Sequence, residues 1–197
     1  MKVILASNNK GKIIEIRSVL STLNISLVSQ HELGIEDADE TASTFVENAL
    51  IKARHAARKA NLPAIADDSG LVVPALNGAP GIYTARYAGT PSNSENNNLK
   101  LLSELKNVPD DQRQATFHCV IVYLKHENDP APIICDGTWT GVIAKAPHGE
   151  KGFGYDPVFF DPQLQKTAAE LPLEIKNQLS HRGKALQLLL QQLREQT

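Results

Sequence analysis

A basic excess is missing from this chain. Across 197 residues, 20 lysines and arginines face 22 aspartates and glutamates, giving a formal net charge of −2 and an isoelectric point near 6.3. A broad nucleic-acid surface normally needs surplus positive charge, so no nucleic-acid partner is expected, although lysines can still converge in a pocket. Long apolar runs are missing too. No stretch approaches the roughly 20 residues that cross a bilayer, so no membrane partner is expected. Lys10 and Lys12 interrupt the N-terminal apolar run too early for a signal peptide. The two cysteines, Cys119 and Cys135, each lie in an apolar or alternating run without metal-ligand spacing, and are expected as reduced buried thiols. There is no repeat, low-complexity tract or linker. The composition predicts a soluble cytoplasmic protein with one domain over residues 1–197.

What is present begins with a βαβ-like opening. Residues 2–6 read as a short buried strand and Ser7-Asn8-Asn9 as a polar loop. A helix is predicted over 10–23, with Ile13, Ile16, Val19, Leu20 and Leu23 as its apolar stripe, then a strand over 25–29. After an acidic loop at 36–40, Thr44 and Glu47 have the spacing of a capping box. The helix they start carries Phe45, Val46, Ala49, Leu50, Ala53, Ala56, Ala57 and Ala60 within an arc of roughly 140°. Asn48, Lys52, His55 and Lys59 form a narrow polar strip along one edge of that arc. They are either a solvated flank or, for Asn48 and Lys52, residues overlooking a cleft. Further on, 77–81 is turn-rich, 93–106 is helical and 109–111 is a loop. Residues 116–124 form a central strand that can pair with 133–143, which Asp136-Gly137 interrupts. A last helix covers 182–194, with Ser180 as its N-cap.

Asp67-Asp68 stands inside Pro63-Ala64-Ile65-Ala66-Asp67-Asp68-Ser69-Gly70-Leu71-Val72-Val73. Carboxylates flanked by strand-forming residues are costly unless they meet metal, water or hydrogen-bond donors. One reading is a turn with acidic residues at its tip. The other is a carboxylate site that holds Mg²⁺ and orients or deprotonates a water.

Three other segments carry chemistry. Ser7-Asn8-Asn9-Lys10-Gly11-Lys12 sits between a strand and a helix, where backbone N–H groups and Lys12 favour an anion; it is either a phosphate loop or an ordinary capped loop, and the common P-loop pattern is absent. Gly149-Glu150-Lys151-Gly152-Phe153-Gly154-Tyr155-Asp156-Pro157 sets aromatics between glycines, which suits base stacking by Phe153 or, alternatively, aromatics folded back onto the core. Ser180-His181-Arg182-Gly183 places cationic donors at a helix start, where the dipole prefers anions, so an acceptor on a ligand is expected nearby.

Taken in order, six segments resemble the inosine triphosphate pyrophosphatase family, in its bacterial dITP/XTP pyrophosphatase branch. They are Ser7-x-Asn9-x-x-Lys12, Thr44-Phe45-x-Glu47-Asn48-Ala49, Ala66-Asp67-Asp68-Ser69-Gly70-Leu71, the run from Gly78 to Tyr87, Gly152-Phe153-Gly154-Tyr155-Asp156-Pro157 and Ser180-His181-Arg182-Gly183. Many relatives have Thr in place of Ser7, which keeps the hydroxyl.

The resemblance implies an α/β fold, an elongated mixed sheet with flanking helices forming two lobes around a central cleft. It implies a Mg²⁺-dependent, homodimeric, house-cleaning hydrolase. Its substrates would be noncanonical purine nucleoside triphosphates such as ITP, dITP and XTP, cleaved to the monophosphate and pyrophosphate. Carried over by motif, Asp68 is the proton acceptor and a metal ligand, with Glu40 as the second metal candidate. Substrate is held by the first loop (Ser7, Asn8, Asn9, Lys10, Gly11, Lys12) and Lys52. Ser69, Phe153, Gly154, Tyr155 and Asp156 line the nucleoside pocket, and Lys176, His181 and Arg182 read the base edge. Competing readings are a pyrophosphatase for modified pyrimidine nucleotides, as in septum-inhibitor-type proteins, and a non-catalytic nucleotide- or RNA-binding module. The Ser180-His181-Arg182 cluster weighs against the first. Asp68 and the lack of basic excess weigh against the second.

Overall fold

Alternation along the strands decides which helix each face meets. In the computed structural model, which describes residues 1–23 and 25–195, seven strands form one mixed sheet in the order β2-β1-β3-β4-β5-β6-β7. They are β1 (Lys2–Leu5), β2 (Ser26–Ser29), β3 (Ala64–Val72), β4 (Gln114–Leu124), β5 (Ile133–Ile143), β6 (Phe159–Asp161) and β7 (Lys166–Thr167). β1 pairs in parallel with β2 and β3, with Leu5 opposite Ile65, while β6 pairs antiparallel with β5 and β7. The helices are α1 (Lys10–Leu20), α2 (Phe45–Ala60), α3 (Ser94–Glu104), α4 (Leu173–Leu179) and α5 (His181–Glu195). The mixed α/β architecture with flanking helices is as expected. None of the described helices is long and apolar enough to cross a membrane.

The chain divides into two compact units, each assembled from separated segments. One comprises residues 1–68, 119–137 and 181–197, the other 69–118 and 138–180.

The first unit is a three-layer arrangement. Because successive side chains of a strand point to opposite faces, Val3, Leu5, Ile65, Cys119, Ile121 and Tyr123 pack with α1 and α5. The alternate residues Ile4, Ala6, Ala64, Ala66, Val120, Val122 and Leu124 pack against the alanine face of α2. Thr44 caps α2 as predicted, its side chain accepting from the Glu47 N–H at 3.4 Å. Both cysteines are buried and reduced, and burial pushes the Cys135 thiol up to about 11.

In the second unit the core gathers around Phe159, whose ring lies 4.6 Å from Phe117 and 4.9 Å from Trp139, centroid to centroid. Leu101, Leu105, Tyr155, Val158 and Ala168 belong to it.

Several boundaries differ from the sequence reading. α1 ends at Leu20, because Leu23 turns back and its N–H donates to the Leu20 carbonyl at 3.0 Å. β5 continues unbroken through Asp136 and Gly137. The loop at 109–111 holds a short 3-10 turn over Asp110–Gln112. α4 escaped the periodicity pattern, since seven residues after Pro172 are too few to show one.

Candidate active site

β3 is one uninterrupted strand, which removes the reading of Asp67-Asp68 as a hairpin tip. The two acids are buried, at 1% and 6% exposure, and lie on opposite faces of the strand. Asp67 shares the face of Ile65, toward α1 and α5. Asp68 shares the face of Ala64 and Ala66, toward α2. Parallel pairing of β1 and β3 brings the carboxyl ends of both strands to the same side, so the Ser7–Asn9 loop lies beside the acidic pair. In open parallel sheets that edge is where ligands bind.

Around Asp67 the charges alternate. Its Oδ2 is 2.9 Å from the Lys12 ammonium and 3.4 Å from Nε and Nη2 of Arg182. Arg182 Nη1 in turn donates to Glu15, which is buried at 3% on α1. Burial works against the Asp67 charge, but Lys12, Arg182 and Lys52 outweigh it and hold the carboxyl far below the usual carboxylate range. Burial also opposes the Arg182 charge, and Asp67 and Glu15 keep the guanidinium protonated beyond its ordinary range. The acceptors for this misplaced helix-start cation thus include two protein carboxylates.

Asp68 is different. Its Oδ1 accepts from Lys52 Nζ at 2.7 Å, and the same ammonium meets Glu40 at 2.9 Å. Asp68 Oδ2 is buried and has no hydrogen-bond partner among the described residues. Burial raises the Asp68 carboxyl above its ordinary value, and Lys52 only partly counters it. For Lys52, burial disfavours the charge, yet Asp68, Asp67 and Glu40 raise it on balance. A carboxylate moved upward toward the operating pH, with one oxygen unclaimed, is suited to accept a proton.

The first loop caps the start of α1. Asn9 caps the helix, its Oδ1 accepting from Lys12 N–H at 3.1 Å, and no acidic residue occupies the first turn. Ser7 is buried and accepts from Asn9 N–H, Asn8 donates to Asp37, and Lys10 and Gly11 fall in the first turn with Lys10 exposed. The Glu40–Lys52–Asp68 arrangement fits a divalent cation. Two hard carboxylate oxygens face one another across an ammonium, and Mg²⁺ commonly takes one or two carboxylates and completes its shell with water and substrate phosphate. No group of three or more potential metal ligands occurs among the described residues, so a cage made by protein alone is not offered.

In the second unit, Asp156 organises the glycine-rich loop. Its Oδ2 accepts from Phe153 N–H at 2.8 Å and from Lys176 Nζ, and that ammonium lies 4.8 Å from the Phe153 ring centroid. Gly152 has φ of 74°, and a Cβ there would come within 2.0 Å of Asp156 Oδ2. Only glycine fits both demands. Phe153 is half-buried, whereas Tyr155 is 2% exposed and belongs to the core, its hydroxyl donating to the Thr84 carbonyl at 2.9 Å. Of the two readings of this loop, folding back describes Tyr155. Gly154 is held by Asn98, which donates to its carbonyl at 3.0 Å, and Ser69 is half-buried next to Asp68 on β3.

The Ham1 family model matches residues 3–192. The chain belongs to the Ham1 family. It is 58% identical to the dITP/XTP pyrophosphatase of Shigella flexneri, over 98% of both chains, and equally identical over the same shares to that of Escherichia coli strain K12. Among solved structures, the HAM1 protein from Coxiella burnetii matches with a TM-score of 0.91 at 50% identity over 99% of both chains. The Staphylococcus aureus Ham1 protein matches with a TM-score of 0.87 at 43% identity over the whole of both chains.

In this Ham1 chain the helix bearing His181 and Arg182 starts hard against β5. A Cβ on Gly137 would lie 2.1 Å from the His181 carbonyl oxygen and 2.7 Å from the Ala185 nitrogen, both backbone atoms that cannot rotate away. Gly137→Ala is therefore expected to destabilise by about 1–3 kcal/mol, the usual cost of forcing extra volume into a packed core. Urea denaturation checks this; an unchanged midpoint would show that α5 shifts at no cost.

Glu15 is the functional neighbour that sequence reasoning missed. At 100° per residue it lies about 40° from Val19, at the border of the α1 stripe, where a solvated flank is the ordinary expectation.

Proposed function

We propose that this Ham1 protein hydrolyses noncanonical purine nucleoside triphosphates, ITP, dITP and XTP, to the monophosphate and pyrophosphate, with Mg²⁺. The observation that carries this reading is Asp68, with one oxygen on Lys52 and the other buried and unclaimed at the carboxyl edge of the parallel strands. The dITP/XTP pyrophosphatase relatives at 58% identity support the substrate class.

Asp68 takes the proton from the attacking water. Lys12 and Lys52, with the α1 amino end, hold the triphosphate and balance the charge that develops on departing pyrophosphate. Asp68 and Glu40 would hold Mg²⁺, which supplies further neutralisation of the anhydride oxygens. Phe153 offers a ring for purine stacking, with Lys176 steadied by Asp156. Hypoxanthine and xanthine present an oxygen acceptor at position 6, where adenine presents an amino donor. Donor chemistry at the α5 start, His181 beside an Arg182 held by Asp67 and Glu15, favours a 6-oxygen acceptor over an amino donor, which disfavours ATP. We further propose a single functional domain acting as a cytoplasmic homodimer.

Pyrophosphate release with Mg²⁺ is the test, using ITP, dITP, XTP, GTP, ATP and modified pyrimidine triphosphates side by side. ITP and XTP are expected to exceed ATP by at least about a hundredfold in kcat/KM, the scale on which an unmatched polar edge is rejected. Equal turnover of ATP, or preference for a pyrimidine, defeats the proposal.

A further inference from the structure

The acidic segment that carries Glu40 is longer than the gap it crosses. Between Glu36 and Ala42 an extended chain reaches about 20 Å. The stretch of α2 alongside it, from Asn48 to His55, rises only about 10 Å. Chain length alone therefore does not fix where Glu40 sits. Side chains do, and they come from the polar strip of α2.

Asn48, Lys52 and His55 are spaced i, i+4, i+7, so they share one helix edge. Asn48 is 1% exposed and bonds one residue through both ends of its amide: Oδ1 accepts from Ala42 N–H at 3.1 Å and Nδ2 donates to the Ala42 carbonyl at 3.4 Å. At the other end His55 Nε2 lies 3.0 Å from the Glu36 carbonyl, an acceptor only, so that nitrogen carries the proton. Between the two, Glu40 meets Lys52 at 2.9 Å. On its far side the segment is tied by Asp37, which accepts from Asn8 at 2.9 Å and from the buried Gln30. The segment runs along α2 in the opposite direction to the helix, pinned on either side of Glu40.

We propose that Asn48 and His55 are positioning residues that strap segment 36–42 to α2 and so hold the Glu40 carboxylate at Lys52 and Asp68. The inference rests on the reading of Glu40 as a working carboxylate, and it assigns the strap a role that neither the phosphate nor the base chemistry requires. Neither residue needs to touch substrate. The loss of either acts through Glu40.

A double-mutant cycle decides the matter. Asn48→Ala and His55→Ala are each made in the wild-type and in the Glu40→Gln background, with circular dichroism to verify folding. In the wild-type background kcat/KM for ITP is expected to fall about tenfold for Asn48→Ala and about threefold for His55→Ala; in the Glu40→Gln background both are expected to cost almost nothing further. A second readout needs no catalysis. Hydrogen exchange on the nucleotide-free protein is expected to be at least about tenfold faster at residues 36–42 in both variants, with β1 and β3 amides unchanged. Asn48→Asp, which retains the acceptor for Ala42 N–H, is expected to recover part of the exchange protection.

If Asn48→Ala does not fold, the partly exposed His55→Ala carries the same cycle. Should the losses simply add to that of Glu40→Gln, or exchange at 36–42 stay at the wild-type rate, the strap proposal is wrong while Glu40 keeps its role. Should Glu40→Gln itself leave turnover intact, the reading of Glu40 fails and the strap proposal falls with it. These two failures are told apart by the Glu40→Gln single variant.

Discussion

Asp68→Asn is expected to lower kcat for ITP by about 10²–10⁴, the range a positioned general base contributes, while the protein remains folded and still binds nucleotide. The substitution is nearly isosteric, and an asparagine oxygen can still accept from Lys52. What disappears is basicity and negative charge. Fold stability should hardly suffer, and the reason lies in the direction of the titration. A carboxyl whose folded pKa is raised above its unfolded value is one whose ionised form the fold disfavours, since burial opposes the Asp68 charge more than Lys52 supports it. Ionisation at that position therefore adds no stability at neutral pH, and a neutral replacement removes none. Single-turnover kinetics give the chemical step, equilibrium binding of ITP gives retained affinity, and thermal unfolding gives the fold. Near wild-type turnover would remove Asp68 as proton acceptor. A collapse in Tm would show that its charge supports the fold after all.

Much of this arrangement was legible in the chain before any coordinates, because local rules placed it. The cap at Thr44, with Glu47 three residues on, and the alanine face of α2 follow from residue type and spacing. Lys12 was more legible than its neighbours. On the α1 wheel it falls about 20° from the buried Val19, on the apolar side of the helix, and its ammonium meets the buried Asp67 at 2.9 Å. The identity of that partner was not legible. Whether Lys12 meets Asp67 or Asp68 depends on the face of β3 that looks toward α1, which is fixed by parallel pairing with β1 and by the packing of α5, contacts far apart in sequence. Arg182 is the converse case. Its dipole-opposed position signalled an acceptor, but Glu15 is 167 residues away and looked like surface. The strip Asn48, Lys52, His55 was visible as an edge of α2. That it grips residues 36–42 depended on how a slack, turnless segment returns, which no periodicity encodes.

The neighbouring acid gives the opposite outcome to the same change. Asp67→Asn is expected to cost about 3–5 kcal/mol, the usual consequence of deleting one member of a buried ion cluster and leaving the others uncompensated. Lys12 and Arg182 would both lose the carboxylate that faces them, while Glu15 stays paired with Arg182. For a chain of this size that corresponds to a drop in Tm of roughly 6–20 °C. The effect also carries a pH signature whose sign is fixed. Burial disfavours the Asp67 charge, but Lys12, Arg182 and Lys52 more than reverse this, so the folded carboxyl titrates well below its unfolded counterpart. Between the two values the unfolded chain binds the extra proton. Stability from Asp67 is then fully present above the unfolded carboxylate pKa of about 3.9 and is lost as pH falls below it toward the folded value. Urea midpoints for wild type and Asp67→Asn are therefore expected to differ by a constant amount from pH 7 to about pH 5. Below about pH 4 they should converge, by up to about 1.4 kcal/mol per pH unit for the single proton involved. A gap that stays constant down to pH 3 would mean that Asp67 carries no such charge, and that Lys12 and Arg182 are balanced elsewhere. Convergence places the ionised Asp67 between its two cations as the electrostatic support on which the Asp68 face of the strand is built.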